Sequence, residues 1–201
     1  MMDALSDADR AGRDAAIRAI LPLVPVSGWS ARTIATGLRA AGLPEDEASF
    51  LFPRGAVSAI DAWIDLTDRE MAAAAGDLSA LRIPARIRAL VAARLDLIAP
   101  HKEAARRALA LLALPWNAAA GLRGGARTAS AIWDAAGDTS ADISWYTRRV
   151  SLSAIYGATL AFWLRDDSPE TGPALAFLDR RLAGLARLQR CRRRVAPAKA
   201  A

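Results

Sequence analysis

The chain has 201 residues, one cysteine, one histidine and a hydrophobic fraction of 53%, which suits a single domain with a sizeable core. A lone cysteine excludes an internal disulfide and makes a reducing compartment the default, and one His with one Cys excludes a His/Cys metal cluster. The formal charge is +6, yet from Asp179 onward eight basic residues face one acid, so only this end is basic and the body does not track nucleic acid by charge.

No apolar run approaches the roughly 20 residues that a spanning helix needs. The start, MMDALSDADR, has neither a signal peptide's apolar core nor the acid-poor, Arg-rich character of a transit peptide. A cytoplasmic location is expected.

Periodicity and breakers predict an all-α chain, because no stretch alternates for long or is rich in β-branched residues. The first helix is expected over Asp9 to Leu23, the second over Ser30 to Ala41 with Ser30 as N-cap and Gly42 as stop, and a short third over Pro44 to Phe52. A fourth runs from Ala56 to Gly76. Pro84 opens the next, where Ile87, Leu90, Val91, Arg94 and Ile98 follow helical spacing and all but Arg94 are apolar. Further helices are expected over Pro100 to Leu114, Asn117 to Ala136, and Thr139 to Arg165, with GLRGG at 121–125 read as an interruption. Ser168 and Pro169 read as a cap and first turn of the last helix. In it Leu175, Leu178, Leu182 and Leu185 form one stripe, Arg180, Arg181 and Arg187 lie mostly elsewhere, and Gly172 with Pro173 suits a hinge. Segments 1–76, 77–167 and 168–201 are thus expected as a helix-turn-helix-like unit, a helical core, and a basic amphipathic helix with its tail.

Catalytic signposts are lacking. His101 follows Pro100 beside Lys102 and Glu103 at a helix start, where a capping or surface role is the simplest. No Gly-rich phosphate loop follows a strand, and no carboxylate pair stands out among the acids. No cofactor, no metal and no catalytic residue is expected.

The first three helices have a helix-turn-helix layout. A DNA reader needs basic or amide side chains on its third element, and here that element is PEDEASFLFP. Glu45, Asp46 and Glu47 would be repelled by phosphates. Nucleic-acid binding is therefore not expected.

The stretch GDTSADISWYTRR at 137–149 is different in kind: Asp142, Trp145, Tyr146 and Arg149 share helical spacing. Two large aromatics flanked by an acid and a base suit either a half-buried amphipathic helix or a protein-binding patch.

Together LFPRG (51–55), RIRALVAARLDLIAPH (86–101), RALALLALP (107–115), AIWDAAGDTSADISWYTRR (131–149), LRDDSPE (164–170) and FLDRRLAGL (177–185) carry a resemblance. From about residue 13 to 188 the chain resembles the ubiquinone-biosynthesis accessory proteins of the coenzyme Q nine family. That resemblance implies a TetR-regulator-like helical bundle with a degenerate helix-turn-helix and a C-terminal amphipathic helix. It further implies a non-enzymatic lipid binder that takes isoprenoid quinone intermediates or phospholipid, sits on a membrane through its last helix, and presents substrate to the di-iron hydroxylase acting on demethoxyubiquinone. The membrane would be a bacterial inner membrane, or the matrix side of the mitochondrial one. By matching positions, the partner surface would be Asp142, Trp145, Tyr146 and Arg149. Ile143 and Ser144 stand where relatives often carry Phe and Asn.

A polyprenyl chain offers no polar handle, so its binder needs a long apolar cavity. Candidate linings are Ile87, Leu90, Val91, Leu111, Leu112, Trp116, Ile132, Trp133, Leu152, Ile155, Tyr156 and Leu160. For the membrane the candidates are Leu175, Leu178, Leu182 and Leu185 with Arg180 and Arg181, the alternative being a stripe docked on the body. A homodimer is also compatible with the fold. The rival functions are a ligand-responsive repressor of the TetR type and an enzyme.

Overall fold

The computed structural model describes residues 6–137, 143–168 and 170–195, the side chains of 143–145 and 186–195 excepted. Among these residues every regular element is helical.

Helix α1 (Asp7–Ile20) starts two residues before the expected Asp9, because Ser6 and Asp9 form a reciprocal capping box. Prolines 22 and 25 do not end the helical path as expected. Each sits in a first turn, where its missing N–H costs nothing, and the chain continues as a 3-10 turn (Leu21–Leu23) into α2 (Val24–Ser27). Ser30 caps α3 (Ala31–Ala40) by accepting from the Thr33 N–H. The expected third helix divides into a 3-10 turn (Glu45–Glu47), with Pro44 outside it, and the single turn α4 (Ala48–Leu51). Helix α5 (Ala56–Ala75) stops at Gly76, whose φ of 69° suits a residue without Cβ.

Pro84 lies in the first turn of α6 (Ile83–Ile98), which passes through a 3-10 turn at Ala99–His101 into α7 (Lys102–Leu112). Helix α8 (Ala118–Ala135) runs unbroken through GLRGG, correcting the expected interruption. Its glycines serve close packing instead: a Cβ on Gly124 would lie 3.1 Å from Ile64 Cδ1, and one on Gly121 3.3 Å from Leu112 Cβ. The last two helices are α9 (Ile143–Arg165) and α10 (Gly172–Val195). The latter begins four residues after Ser168, whose N–H and hydroxyl bond to the Asp166 carboxylate rather than capping a helix; Pro169 is outside the described residues.

The core is continuous. Helix α5 packs along α6 and α8, α8 along α9, and α10 against α9 and α6, while α1 and α3 cross at the other end. Ile17, Ile20, Leu38, Ile60, Leu90, Leu95, Ile132, Leu152, Trp163 and Leu178 are all fully buried, each stabilising by about 1.5–3 kcal/mol. Three ion pairs also tie α1 to α5: Arg69 Nη2 donates to both oxygens of buried Asp14 at 2.8 Å, Arg13 to Asp65 at 2.8 Å, and Arg18 to Glu70 at 2.5 Å. The expected boundary at residue 76 thus falls at the end of a helix that packs on both sides of it.

Candidate functional site

Four helices, α6, α8, α9 and α10, converge on a cavity of about 620 Å³. Helical spacing explains the wall. Ile83 and Ile87 project from successive turns of α6, Leu152 and Ile155 from α9, and Leu182 and Leu185 from α10, with Trp133 contributed by α8. The polar members, Arg88, Arg148 and Asp179, include a tie between walls, since Arg88 Nε lies 3.0 Å from both carboxylate oxygens of Asp179. The Arg148 guanidinium lies 5.9 Å from the Trp133 ring. Such a volume and lining suit a ligand with an apolar body.

A second, smaller cavity of about 80 Å³ lies between α5, α6, α7 and α9 and takes in Leu112, Tyr156 and Leu160. Of the twelve lining candidates, the large cavity thus collects Ile87, Trp133, Leu152 and Ile155, and the small one Leu112, Tyr156 and Leu160. Leu90, Val91 and Ile132 are core residues that line neither, and Leu111 packs at the core's edge. Trp116 is 76% exposed on the α7–α8 connection. Ile83 and Ala183 of the large cavity were not among the candidates. The one available signal was Ile83 directly before the Pro84 that opens its helix.

The leucine stripe of α10 faces the body. Leu175 and Leu178 are buried, and Leu182 and Leu185 are half-buried in the cavity wall. Arg180 and Arg181 are exposed and flank the Phe177 ring at 5.9 and 4.7 Å, and Phe177 stacks on Phe162 with centroids 4.9 Å apart. One face of α10 is thus a docked apolar wall and another a cationic surface.

Among the proposed partner-binding residues, Asp142 and the side chain of Trp145 lie outside the described residues. Tyr146 is 69% exposed, whereas Arg149, three positions on, is buried and paired with Asp134 at 2.5 Å. The two keep their helical spacing along α9, one exposed and the other buried against α8.

His101 is half-buried against Trp63, edge-on with centroids 6.5 Å apart, and makes no side-chain cap to α7. Burial holds its pKa below the usual imidazole value. Among the described residues no group of His, Cys, Asp and Glu could hold a metal ion. In the acidic turn Glu45–Glu47, Glu45 and Asp46 are exposed and Glu47 is half-buried, with Glu45 drawn to Arg39 at 3.0 Å. No described helix is long and apolar enough to cross a membrane.

Residues 118–189, which hold α8, α9 and most of α10, match the family model COQ9. The chain is 34% identical, over 83% of its length, to the mitochondrial ubiquinone biosynthesis protein COQ9-A of Xenopus laevis. To the human mitochondrial ubiquinone biosynthesis protein COQ9 it is 31% identical, again over 83%. It covers 55% of each, so it spans about half the length of the curated relatives it matches. Among solved structures, a TetR transcriptional regulator from Nitrosomonas europaea superposes with a TM-score of 0.67 at 24% identity, covering 87% of this chain and 97% of that one. The fold is therefore the TetR-like helical bundle expected from the resemblance.

Proposed function

The chain belongs to the COQ9 family, and from that premise we propose that it is a non-enzymatic, lipid-binding accessory protein of ubiquinone biosynthesis. It holds an isoprenoid quinone intermediate in the large cavity and presents it, at a membrane surface, to a demethoxyubiquinone hydroxylase. The observation that carries this reading is the cavity of about 620 Å³ beneath α10. Its apolar walls suit a polyprenyl chain, which is held by shape and burial rather than by directed polar contacts.

The role of α10 follows from its two faces. Its arginines meet anionic headgroups, at about 1 kcal/mol per basic residue near the surface, while Leu182 and Leu185 wall the cavity that the lipid enters. A peripheral rather than spanning attachment is consistent with the helix's composition. Exposed Tyr146, one position after Trp145, serves as an aromatic anchor for the hydroxylase.

The test is mass spectrometry of the organic extract of protein purified without detergent. Near-stoichiometric isoprenoid quinone or its precursor is expected, and Leu152→Trp, which fills the cavity, should abolish it. An empty extract from well-folded protein would overturn the proposal.

A further inference from the structure

At the turn from α7 into α8 large apolar side chains stand in solvent. Leu109, Leu114, Trp116 and Leu122 are 40, 38, 76 and 75% exposed, and Pro115 between them is exposed as well. Trp116, Ala119, Leu122 and Ala126, all exposed, step by three and four, so the patch runs from the turn along the outward side of α8. Single exposed apolar residues need no explanation, whereas a contiguous patch marks a contact.

The polar groups of the turn are already used. The N–H groups of Ala113, Leu114 and Asn117 donate to the carbonyls of Leu109, Leu111 and Leu114, and the Asn117 side-chain amide donates to the Leu111 carbonyl at 3.0 Å. Pro115 has no N–H to satisfy. Such a turn enters an apolar medium without stranding these donors, which is the condition that hydrocarbon sets on a backbone. Charge says which medium it is. Between Glu103 and Asp134 the sequence holds Arg106, Arg107, Arg123 and Arg127 and no acid. Arg106 and Arg107 are drawn to Glu103 and Arg127 to Asp61, while Arg123 is exposed beside Leu122. An apolar tip that carries a Trp, with an exposed arginine behind it, complements a bilayer interface with anionic headgroups.

We propose that this corner is a membrane-inserting wedge: Leu114, Pro115 and Trp116 enter the lipid interface, Leu109 and Leu122 seat beside them, and Arg123 meets anionic headgroups. The contact is separate from the one proposed for α10. Trp133, in the wall of the cavity beneath α10, is fifteen residues along α8 from Ala118 at the corner, about 22 Å at the rise of an α-helix.

The experiment floats the full chain with vesicles of phosphatidylcholine mixed with phosphatidylglycerol, and with vesicles of phosphatidylcholine alone. Trp116→Ser combined with Leu122→Ser changes two outward-facing side chains, so the circular dichroism spectrum should stay the same while binding to the mixed vesicles weakens at least about tenfold. Trp116→Phe should keep most of the binding but lose part of the quenching of tryptophan emission by lipids brominated in the upper acyl chain. Arg123→Glu should weaken binding to the mixed vesicles only. Arg180→Glu with Arg181→Glu probes α10 separately: binding that survives this pair but not the corner pair would remove α10 from the membrane and leave the wedge standing. Binding unchanged by the corner pair, equal quenching in the wild type and Trp116→Phe, or no vesicle binding by the wild type would overturn the wedge. So would a wild-type dimer in sedimentation that the corner pair converts to monomer, since the patch would then be covered by a second copy of this chain.

Discussion

Arg88 of α6 and Asp179 of α10 face each other across the mouth of the large cavity, with Nε 3.0 Å from both carboxylate oxygens. Both side chains are about half exposed, at 46% and 47%. Water and salt therefore screen the pair, and it orients α10 more than it stabilises the fold. Asp179→Ala should lower global stability by less than about 1 kcal/mol while speeding proteolytic cleavage within α10. Denaturant midpoints and limited proteolysis, run side by side, check the two halves of that expectation.

Leu178 is fully buried, whereas Leu185, two turns on, is a half-buried part of the cavity wall. Leu178→Ala should therefore cost about 2–5 kcal/mol, and Leu185→Ala markedly less. The lipid readouts should rank the other way once each protein is confirmed folded, with Leu185→Ala releasing bound lipid more readily than its stability loss explains. Equal destabilisation by both would show that the stripe is uniform packing.

Gly37 lets α3 cross α1 closely. A Cβ there would lie 2.2 Å from Ile20 Cγ1 and 3.2 Å from the Ile20 backbone N. Helix propensity alone favours Ala over Gly by about 1 kcal/mol, but the crossing cannot open without moving backbone. Gly37→Ala should thus destabilise, by about 1–3 kcal/mol, as read by thermal or denaturant unfolding. A stabilised variant would mean that the two helices separate freely.

How much of this was legible beforehand depends on what set each feature. The boundaries of α5 and α8 follow local signals, Gly76 and Asn117, and lie within a residue of expectation. The GLRGG stretch misled because glycine weakens an isolated helix, while here the neighbours Ile64 and Leu112 occupy the space a Cβ would take. Periodicity could mark Leu90, Val91 and Ile132 as inward-facing, but not whether inward meant cavity or packed core. That is decided by how α8, α9 and α10 are spaced. The same limit applies to Arg149: its spacing from Tyr146 is readable, but its burial against Asp134 depends on the packing of α8 on α9.

The element that would read DNA in a helix-turn-helix is the acidic turn Glu45–Glu47 followed by the single turn α4. It offers phosphates two exposed carboxylates and a half-buried third, and one turn of helix presents few side chains to a groove. Gel-shift assays at moderate salt should show no sequence-specific complex. A discrete shifted band that survives competitor DNA would restore the repressor reading.

His101 is the chain's single histidine, so the stability change near neutral pH can be assigned to it with unusual directness. Its ring packs edge-on against Trp63, and burial lowers its pKa below the ordinary 6.5. The unfolded chain therefore binds the proton more readily than the folded one. Stability from this group is fully present above about pH 6.5 and is lost as pH falls through the folded-state pKa. Unfolding midpoints measured from pH 7.5 down to 5.5 should decline, and His101→Gln should flatten the decline, even if it lowers stability at every pH. A slope unchanged by the substitution would place the titrating group among the acids instead.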